Sequence, residues 1–539
     1  MYYVSIIAGI IPWMLASIAF TLPILWLATR SGRLVSALFA FSLLLCLAIA
    51  VLQLDASLGE GVTLVYPFGG WPPSLGIIYY IDLAGALLIF FSSLTILAIG
   101  VYSIWYAGGG ERATVLFYVL FLGLSAGLLG SLHTGDIFNL FVMIEVTAVS
   151  AYALVAFHRE RREAVEAALK YGILGALATT LYFLSVVTIY ASYGSLTMAD
   201  IALKSRDAGF ATYFTEVYGA IAVASAIALA LALWSFTFKS ALAPNHFWLI
   251  DAHPEAPAPV SAALSGLVVN IGVYATARFL LTMFGEGSVV EELGLLRVFG
   301  LSLVTLGVAS ALLGALMMAV QRDSKRLLAY STVSHIGLMY VALGFAALSS
   351  GETRVLCVAA VFFHMITHSL GKSLLFLAVG VAERARGSRD LDALAGYGRE
   401  APIVGFSVVV GSLSLLGVPF TAGFFSKLLM YRAFIEGGSE ILAIALIAVS
   451  AVSAMGYFKL VTSMLSGPGS RVESTRAEPA IALLALSTLI LVLPLLLPLG
   501  FEEVLIRAAE GFVDYEVYAS AFREYLNYYL ELLKVGVDS

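Results

Sequence analysis

Apolar runs of about 20 residues recur along nearly the whole of this 539-residue sequence. Each run is long enough to cross the ~30 Å hydrocarbon core of a bilayer as an α-helix, in which the backbone polar groups bond one another without water. The composition agrees, because 61% of the residues are hydrophobic and only 12% are charged, against roughly 25% charged in soluble proteins. The sequence therefore predicts an all-α polytopic membrane protein with about fourteen transmembrane helices.

The predicted helices divide evenly between the two halves of the chain. Their approximate bounds are 3–28, 34–54, 77–106, 112–132, 136–157, 166–192, 212–240, 258–283, 297–320, 327–349, 355–381, 402–434, 440–464 and 478–498. The first run has no basic segment before it and no clear cleavage site, so we interpret it as a retained helix. Residues 499–539 mix acidic, aromatic and aliphatic residues, and we interpret them as an amphipathic surface helix or a contact for a partner.

Basic residues are concentrated in every second loop. The loops after odd-numbered helices contain Arg30, Arg33, Arg112, Arg159, Arg161, Arg162, Arg322, Lys325, Arg326, Arg384, Arg386, Arg389, Arg471 and Arg476. The loops after even-numbered helices are mostly acidic or neutral, with Lys204 and Arg206 as exceptions. The positive-inside rule places the basic loops in the cytoplasm and both termini on the extracytoplasmic side.

Four lysines interrupt the apolar helices, although the basic loops use mainly arginine. A buried lysine can exchange a proton near neutrality, whereas arginine keeps its charge. We therefore interpret Lys239, Lys372 and Lys427 as functional residues. Lys459 lies near a helix end, where the side chain of a lysine ordinarily reaches the membrane interface.

Glu145 lies about half-way along its predicted helix, nine residues or ~13 Å beyond Asp136. Asp136 stands at the helix start, where a carboxylate caps the positive end of the helix dipole. No capping role explains Glu145, and a basic residue of another helix is the partner that such a carboxylate needs. We predict that this partner is Lys239.

Three histidines also fall within predicted helices: His335, His364 and His368. The last two and Lys372 have the spacing i, i+4, i+8, which aligns them on one helix face. Histidine changes its charge near pH 6–7, so this row favours a proton path. Two alternatives remain: histidines that bond backbone carbonyls, and a metal pair, although no carboxylate or cysteine ligand accompanies them.

Two prolines interrupt apolar segments within a few residues of a lysine: Pro244 follows Lys239, and Pro419 precedes Lys427. Proline frees backbone carbonyls, which membranes tolerate only where protein or water satisfies them. Ordinary proline kinks are the alternative, but broken helices in both halves of a carrier commonly mark its ion path. We place His246 on the first break, and we assign Asp251 and His253 to the exit or the turn that follows it.

Apart from the His364–His368 spacing, the sequence shows no sign of a metal site, and it shows none of a redox cofactor or a nucleic-acid partner. The two cysteines, Cys46 and Cys357, lie inside predicted helices without a CxxC motif, and no dinucleotide fingerprint is present.

Several motifs resemble those of the antiporter-like subunits of complex I, and most closely the D subunit of Mrp-type cation/proton antiporters. They are "TGDIFNLFVMIE", "KSALAPNHFWLIDAHPEAPAPVSAALSG", "LLAYSTVSHIGLM", "HMITHSLGKSLLFLAVG" and "GVPFTAGFFSK". The resemblance implies fourteen helices, of which helices 7 and 12 are discontinuous. It also implies two inverted five-helix repeats, at 112–283 and 297–464, between helices 1–3 at 1–111 and a last segment at 478–539. Very similar subunits occur in archaeal membrane-bound hydrogenases, so the implied location is the plasma membrane of a prokaryote.

The resemblance also implies roles for individual residues. By motif match, Glu145 and Lys239 form the family's glutamate–lysine pair, and Lys372 is the lysine of its central axis. Lys427 matches the lysine after the second break, and His335 matches the histidine of the second half.

One departure concerns the eighth helix, where Asn270 stands in place of the family's usual lysine or nearby histidine. Asparagine carries no proton charge, so a link between the two halves would need water, or His364 and His368.

Together these features predict a proton-translocating subunit of a multisubunit membrane complex, embedded in the lipid bilayer with other membrane subunits as partners. A sodium gradient or a redox reaction in those partners would drive it, and the sequence leaves open whether protons or sodium ions pass through this chain. The alternatives are a non-conducting scaffold subunit of such a complex and a stand-alone secondary transporter.

Overall fold

The structure, a computed structural model, describes residues 2–4, 6–59, 63–73, 75–107, 111–218, 220–467 and 475–537. It is 84% helical. The helices are α1 (Ile6–Thr29), α2 (Gly32–Gly59), α3 (Leu83–Tyr106), α4 (Glu111–His133), α5 (Ile137–Val155), α6 (Arg162–Tyr193), α7 (Met198–Lys204), α8 (Ala208–Tyr218), α9 (Ile221–Lys239), α10 (Phe247–Glu255), α11 (Ala258–Ala263), α12 (Val269–Ala277), α13 (Val289–Glu292), α14 (Leu295–Val320), α15 (Ser324–Leu348), α16 (Gly351–Arg386), α17 (Tyr397–Glu400), α18 (Pro402–Leu416), α19 (Ala422–Glu436), α20 (Glu440–Leu465), α21 (Ala477–Leu496), α22 (Phe501–Val513) and α23 (Tyr515–Val537). The predicted loop residue Arg471 lies outside the described residues.

Within the described residues, thirteen helical segments are long and apolar enough to cross a membrane. A further crossing is formed by α18 and α19, which are too short singly and are separated by a break. The prediction of an all-α polytopic fold is confirmed, and each predicted span contains one of these crossings. Two boundaries were wrong: the span 77–106 begins with an apolar strand, and the helix within 212–240 begins only at Ile221.

A small three-stranded sheet, which the sequence reasoning missed, joins the ends of several helices. Its strands are β1 (Tyr2–Val4), β2 (Thr63–Pro67) and β3 (Ile78–Ile81). β1 pairs with β2 in parallel, and β2 pairs with β3 in the antiparallel sense. Single bridges continue this side of the molecule, from Tyr79 to Thr134 and from Asp136 to Thr197. We call it the sheet side.

The opposite side carries the arginine-rich loops, and we call it the arginine side. There the Arg384 guanidinium donates to the carbonyl of Tyr106 over 3.0 Å, which joins the end of α16 to the end of α3. Arg389 pairs with Glu255, at the end of α10, over 3.1 Å. The ends of three separate crossings therefore meet on this side.

Two central segments carry four of the polar residues singled out in the sequence, Asn270, His364, His368 and Lys372. Ala258–Met283, which includes α11, α12 and two π-helical segments, and α16 are buried along the whole of their most apolar stretch. Helix α15 is nearly as buried and packs closely on α14 through glycines. A Cβ atom at Gly307 of α14 would lie 2.8 Å from the carbonyl oxygen of Gly337 on α15, so only glycine permits this approach.

The predicted breaks are present in both halves. Helix α9 ends at Lys239, and α10 begins at Phe247 after a cis peptide bond between Ala243 and Pro244. Helix α18 ends before Gly417, whose φ of 86° is the left-handed conformation that glycine adopts without a steric penalty. Each break places a helix end, with its unpaired carbonyls, inside the helix bundle.

The C-terminal residues form two helices, α22 and α23, which pack on this chain's own sheet side. The guanidinium of Arg278 forms a buried ion pair with Asp82 over 2.7 Å, and its Cζ lies 3.8 Å from the ring centroid of Phe512 on α22. The Tyr80 hydroxyl donates to the backbone carbonyl of Tyr518 on α23. The segment that was interpreted as a surface helix or partner contact thus covers a buried charge pair of its own chain.

Candidate functional site

A buried ammonium group on α16 begins a long hydrogen-bonded series in the second half. Lys372 is fully buried, and its Nζ donates to the Leu328 carbonyl over 3.0 Å and to the Ser331 hydroxyl. Both acceptors lie on α15, which is held rigidly by α14. The lysine head group is thus directed toward α15, where a hydroxyl can take its proton.

The series continues across α20 to the first histidine. The hydroxyl of Tyr457 shares a hydrogen bond with Ser331 and lies 3.0 Å from Nε2 of His335. All three side chains are buried. Ser331 and His335 stand four residues apart on α15, so one tyrosine from α20 bridges two consecutive turns of that helix.

The next contact joins two imidazoles. Nδ1 of His335 lies 3.0 Å from Nε2 of His364, and Nδ1 of His364 lies 2.9 Å from the hydroxyl of Ser426. A neutral imidazole has one donor and one acceptor nitrogen, so the tautomers of the pair fix the direction of the hydrogen bonds. We call the continuous series the polar row; its members are Lys372, Ser331, Tyr457, His335, His364 and Ser426.

Lys427 adjoins the polar row beside Ser426 at the second break. Its Nζ donates to the carbonyl of Leu416 over 3.0 Å and to the hydroxyl of Ser450 over 3.1 Å. Leu416 is the last residue of α18, so the break supplies a carbonyl that an unbroken helix would have used internally. A cation at a helix C-terminus is also favoured by the helix dipole.

His368 lies next to the polar row without a hydrogen bond to it. Its side chain is fully buried, and neither ring nitrogen has a partner. Its ring centroid lies 5.5 Å from that of His335 and 6.4 Å from that of His364. In the part of the chain that the structure describes, no group of three or more His, Cys, Asp or Glu side chains is placed to hold a metal ion.

The first half contains the two residues that we predicted to pair. Lys239, the last residue of α9, is buried, and its Nζ has no hydrogen-bond partner; Oε1 of Glu145 on α5 is also buried and unpartnered. The two form no salt bridge within 4.0 Å, although the glutamate charge acts on the lysine. The predicted direct contact is absent, and a cavity of about 10 Å³ that Lys239 lines with Ile144, Thr147 and other residues lies in this region.

Asn270 connects the eighth crossing to α16. Its Nδ2 donates to the hydroxyl of Ser369 and to the carbonyl of Gly266, both over 3.0 Å. Its Oδ1 is buried and unpartnered, and the residue lines a cavity of about 20 Å³, which is room for one water. Asn270 is therefore adjacent to His368 in space through Ser369, but no direct hydrogen bond joins them.

Two further predicted residues have local roles in the structure. His246 lies on the first break, where Nδ1 donates to the Pro244 carbonyl over 3.3 Å. Asp136 caps α5 by accepting from the backbone N–H of Asn139 over 2.6 Å. Burial raises the pKa of the Asp136 carboxyl to about 6.

The sequence reasoning missed several polar residues of this region. Ser331, Ser426 and Tyr457 had no signal beyond their polarity within an apolar helix. Lys325, which we assigned only to a basic loop, is buried at the start of α15 and pairs with Glu383 over 2.8 Å. The Nζ of Lys459 donates to the Gln321 carbonyl over 2.6 Å at the end of α14.

Comparison with known proteins supports the resemblance in the motifs. The profile of a family described as "NADH:quinone oxidoreductase/Mrp antiporter, TM" matches residues 134–455. The chain is 33% identical over 432 residues to the N subunit of the NADH-quinone oxidoreductase of Desulforudis audaxviator, covering 79% of this chain and 81% of that protein. It is 29% identical over 404 residues to the D subunit of the Na(+)/H(+) antiporter of Alkalihalophilus pseudofirmus, covering 74% and 76%.

Two solved structures share the fold over 96% of this chain and the whole of the matched chain. One is the membrane-bound sulfane sulfur reductase, an archaeal respiratory membrane complex, with a TM-score of 0.83 and 29% identity. The other is the Mrp complex from Dietzia sp. DQ12-45-1b, with a TM-score of 0.82 and 25% identity. The likeness therefore extends beyond the region that the motifs cover.

Proposed function

Because this chain belongs to the NADH:quinone oxidoreductase/Mrp antiporter membrane-subunit family, we propose that it translocates protons as one subunit of a multisubunit membrane complex. The observation that carries the proposal is the polar row, which links Lys372 to Ser426 through buried hydrogen bonds. Every member can both accept and release a proton. The solved relatives named above are multisubunit membrane complexes, which supports other membrane subunits as partners.

A proton moves along the polar row by exchange at each hydrogen bond. Lys372 releases a proton to the Ser331 hydroxyl while that hydroxyl passes its own proton to Tyr457. Tyr457 in turn protonates Nε2 of His335, and the proton on Nδ1 of His335 passes to Nε2 of His364. The series ends when Nδ1 of His364 gives its proton to the Ser426 hydroxyl and that hydroxyl releases its own proton to the neutral amine of Lys427, the next residue. The hydroxyls and imidazoles are restored when the hydroxyls rotate and the imidazoles change tautomer, and Lys372 is restored when it takes up a new proton.

In the first half, Glu145 and Lys239 act as an electrostatic switch. An ammonium group in contact with a carboxylate is stabilised, whereas a buried ammonium alone is penalised by desolvation. Closing the gap between the two residues therefore favours uptake of a proton by Lys239, and opening it favours release toward the second half. The unpartnered atoms of the present structure correspond to the open arrangement.

The two halves correspond to the inverted repeats 112–283 and 297–464, each with a broken helix and a lysine at the break. In the proposed orientation the arginine side faces the cytoplasm of a prokaryote, and both termini lie outside. The driving reaction, a cation gradient or a redox step, belongs to the partner subunits. The scaffold alternative is less favoured, because the polar row is continuous through the described residues.

The test is a Lys372→Ala variant in the assembled complex, reconstituted into vesicles with a pH-sensitive dye. We expect loss of proton translocation by about 10²-fold, the scale of a positioned proton-transfer group. The matched control is Lys459→Ala, which removes a lysine whose ammonium donates to two carbonyls at the end of α14, and we expect this variant to keep the wild-type rate. An assembled Lys372→Ala complex with the wild-type rate would refute the proposal, and transport by the isolated polypeptide would favour a stand-alone transporter.

A further inference from the structure

His253 is a buried histidine outside the polar row that has no hydrogen-bond partner. It lies on α10 with 0% of its surface exposed, and neither Nδ1 nor Nε2 is bonded. Its backbone is well held, because the Ser261 hydroxyl donates to its carbonyl over 2.7 Å. Its ring centroid lies 5.1 Å from that of Phe376. Since buried polar groups are normally paired, two free nitrogens on one fixed side chain require an explanation.

Two buried lysines flank this histidine. Lys325 donates to the carbonyl of Ala256, three residues after His253, over 3.0 Å. Lys372 donates to Leu328, which lies one turn after Lys325 on α15, and Phe376, whose ring contacts that of His253, lies one turn after Lys372 on α16. The charges of both lysines act on the imidazole. His253 thus lies between the first member of the polar row and a second buried ammonium group.

Lys325 in turn reaches the arginine side. Its Nζ pairs with Glu383 over 2.8 Å, and the glutamate side chain is 24% exposed while the lysine is 2% exposed. From the surface inward, the order is therefore the partly hydrated carboxylate of Glu383, the buried Lys325, the unpartnered imidazole of His253, and Lys372. On the same side, Glu255 at the end of α10 is held by Arg161 over 2.6 Å and by Arg389 over 3.1 Å, so its charge is already balanced.

We propose that His253 is a proton-relay residue that connects Lys372 with the arginine side through the Lys325–Glu383 ion pair. An imidazole relays by accepting a proton at one nitrogen and releasing one from the other, which requires two nitrogens without permanent partners. Burial, and after it the charges of the two flanking lysines, keeps the resting imidazole neutral, so that it holds an extra proton only in transit. The groups that face it are Lys325, from α15, and Lys372, from α16. This inference rests on the proposed function, because it extends the polar row to one surface.

The experiment compares His253→Gln and His253→Phe in the assembled complex in vesicles, driven by the cation gradient or electron donor that the complex uses. Glutamine keeps polarity without a titratable group, and phenylalanine keeps an aromatic ring against Phe376 without any nitrogen. We expect both to lower the translocation rate by about 10²-fold and to raise the ratio of the rates in H2O and D2O, with an unchanged melting temperature. His253→Phe at the wild-type rate would show a packing role and overturn the proposal.

His133 offers a matched control, since it is also fully buried but has both nitrogens bonded, to Leu129 over 2.6 Å and to Gln53 over 3.2 Å. We expect His133→Gln to leave the rate per assembled complex unchanged; an equal loss in this variant would mean that any buried histidine matters, and would overturn the proposal. Lys372→Ala in the same preparation distinguishes failure of the relay proposal from failure of the proposed function. If Lys372→Ala is inactive while both His253 variants are fully active, only the relay proposal is wrong.

Discussion

Replacement of Tyr457 by phenylalanine removes one oxygen atom from the middle of the polar row and keeps the ring. The hydroxyl is the bridge between Ser331 and Nε2 of His335. Ser331 retains the Lys372 ammonium as a partner, so only Nε2 of His335 is left unpaired. A buried group without its partner costs about 1–3 kcal/mol, which is a modest fraction of a typical stability of ~5–15 kcal/mol. The Tyr457→Phe protein should therefore fold and assemble.

Translocation should respond far more than stability. Without the hydroxyl, no side chain in the described structure connects Ser331 to His335, and we expect the rate to fall by about 10²-fold. The assay is dye-monitored proton translocation by the assembled complex, beside thermal unfolding of the same sample. Tyr182→Phe is the matched control, because it removes one buried hydroxyl that donates to the Ile137 carbonyl over 2.8 Å outside the row. A wild-type rate in Tyr457→Phe would refute the reasoning that protons pass along these hydrogen bonds.

Two further predictions concern carboxylates near the sheet side. Burial raises the pKa of the Asp136 carboxyl to about 6, so this group should be protonated below that pH and ionised above it. The infrared band of the protonated carboxyl should disappear as the pH rises, with a midpoint near pH 6. The Asp136→Asn variant should lack this band. A midpoint near the ordinary value for aspartate would contradict the burial argument. Asp82→Asn keeps the cap on Gly85 but leaves Arg278 as an unpaired buried charge, so we expect about 3–5 kcal/mol of destabilisation by thermal unfolding. Asp82→Glu, which keeps the charge, should cost less, and equal losses would argue against the ion pair.

The sequence predicted the membrane spans well because hydropathy and length are local properties. The error at residues 77–106 also comes from hydropathy. Ile78–Ile81 is apolar enough to be included in a predicted helix, but its backbone pairs with β2 instead. The breaks at Pro244 and Pro419 were also predictable, because proline and glycine act on their own backbone. The membrane spans and the helix breaks could be predicted because each depends only on residues that are close together in the sequence.

The candidate site was predictable only in part, because it depends on contacts between distant helices. Lys372 and His364 could be recognised as unusual residues in apolar helices. The role of the Tyr457 hydroxyl, in contrast, depends on the packing of α20 against α15. The same limit explains why the sequence could not predict the gap between Glu145 and Lys239 in this structure. Opposite charges in two apolar helices indicate that the two residues pair. The distance between the helices, however, is set by the packing of other side chains, which the sequence does not show.

The glycine contact between α14 and α15 has a consequence for how the protein moves. Gly300, Gly307 and Gly314 recur at intervals of seven residues, and Gly344 and Gly337 face the first two of them. Because the two backbones touch at every second turn, neither helix can slide or rotate against the other without a steric collision. We infer that α15 stays fixed against α14. A movement that opens or closes a proton contact of the polar row therefore has to come from a helix outside this pair, such as α19, which carries Ser426 and Lys427.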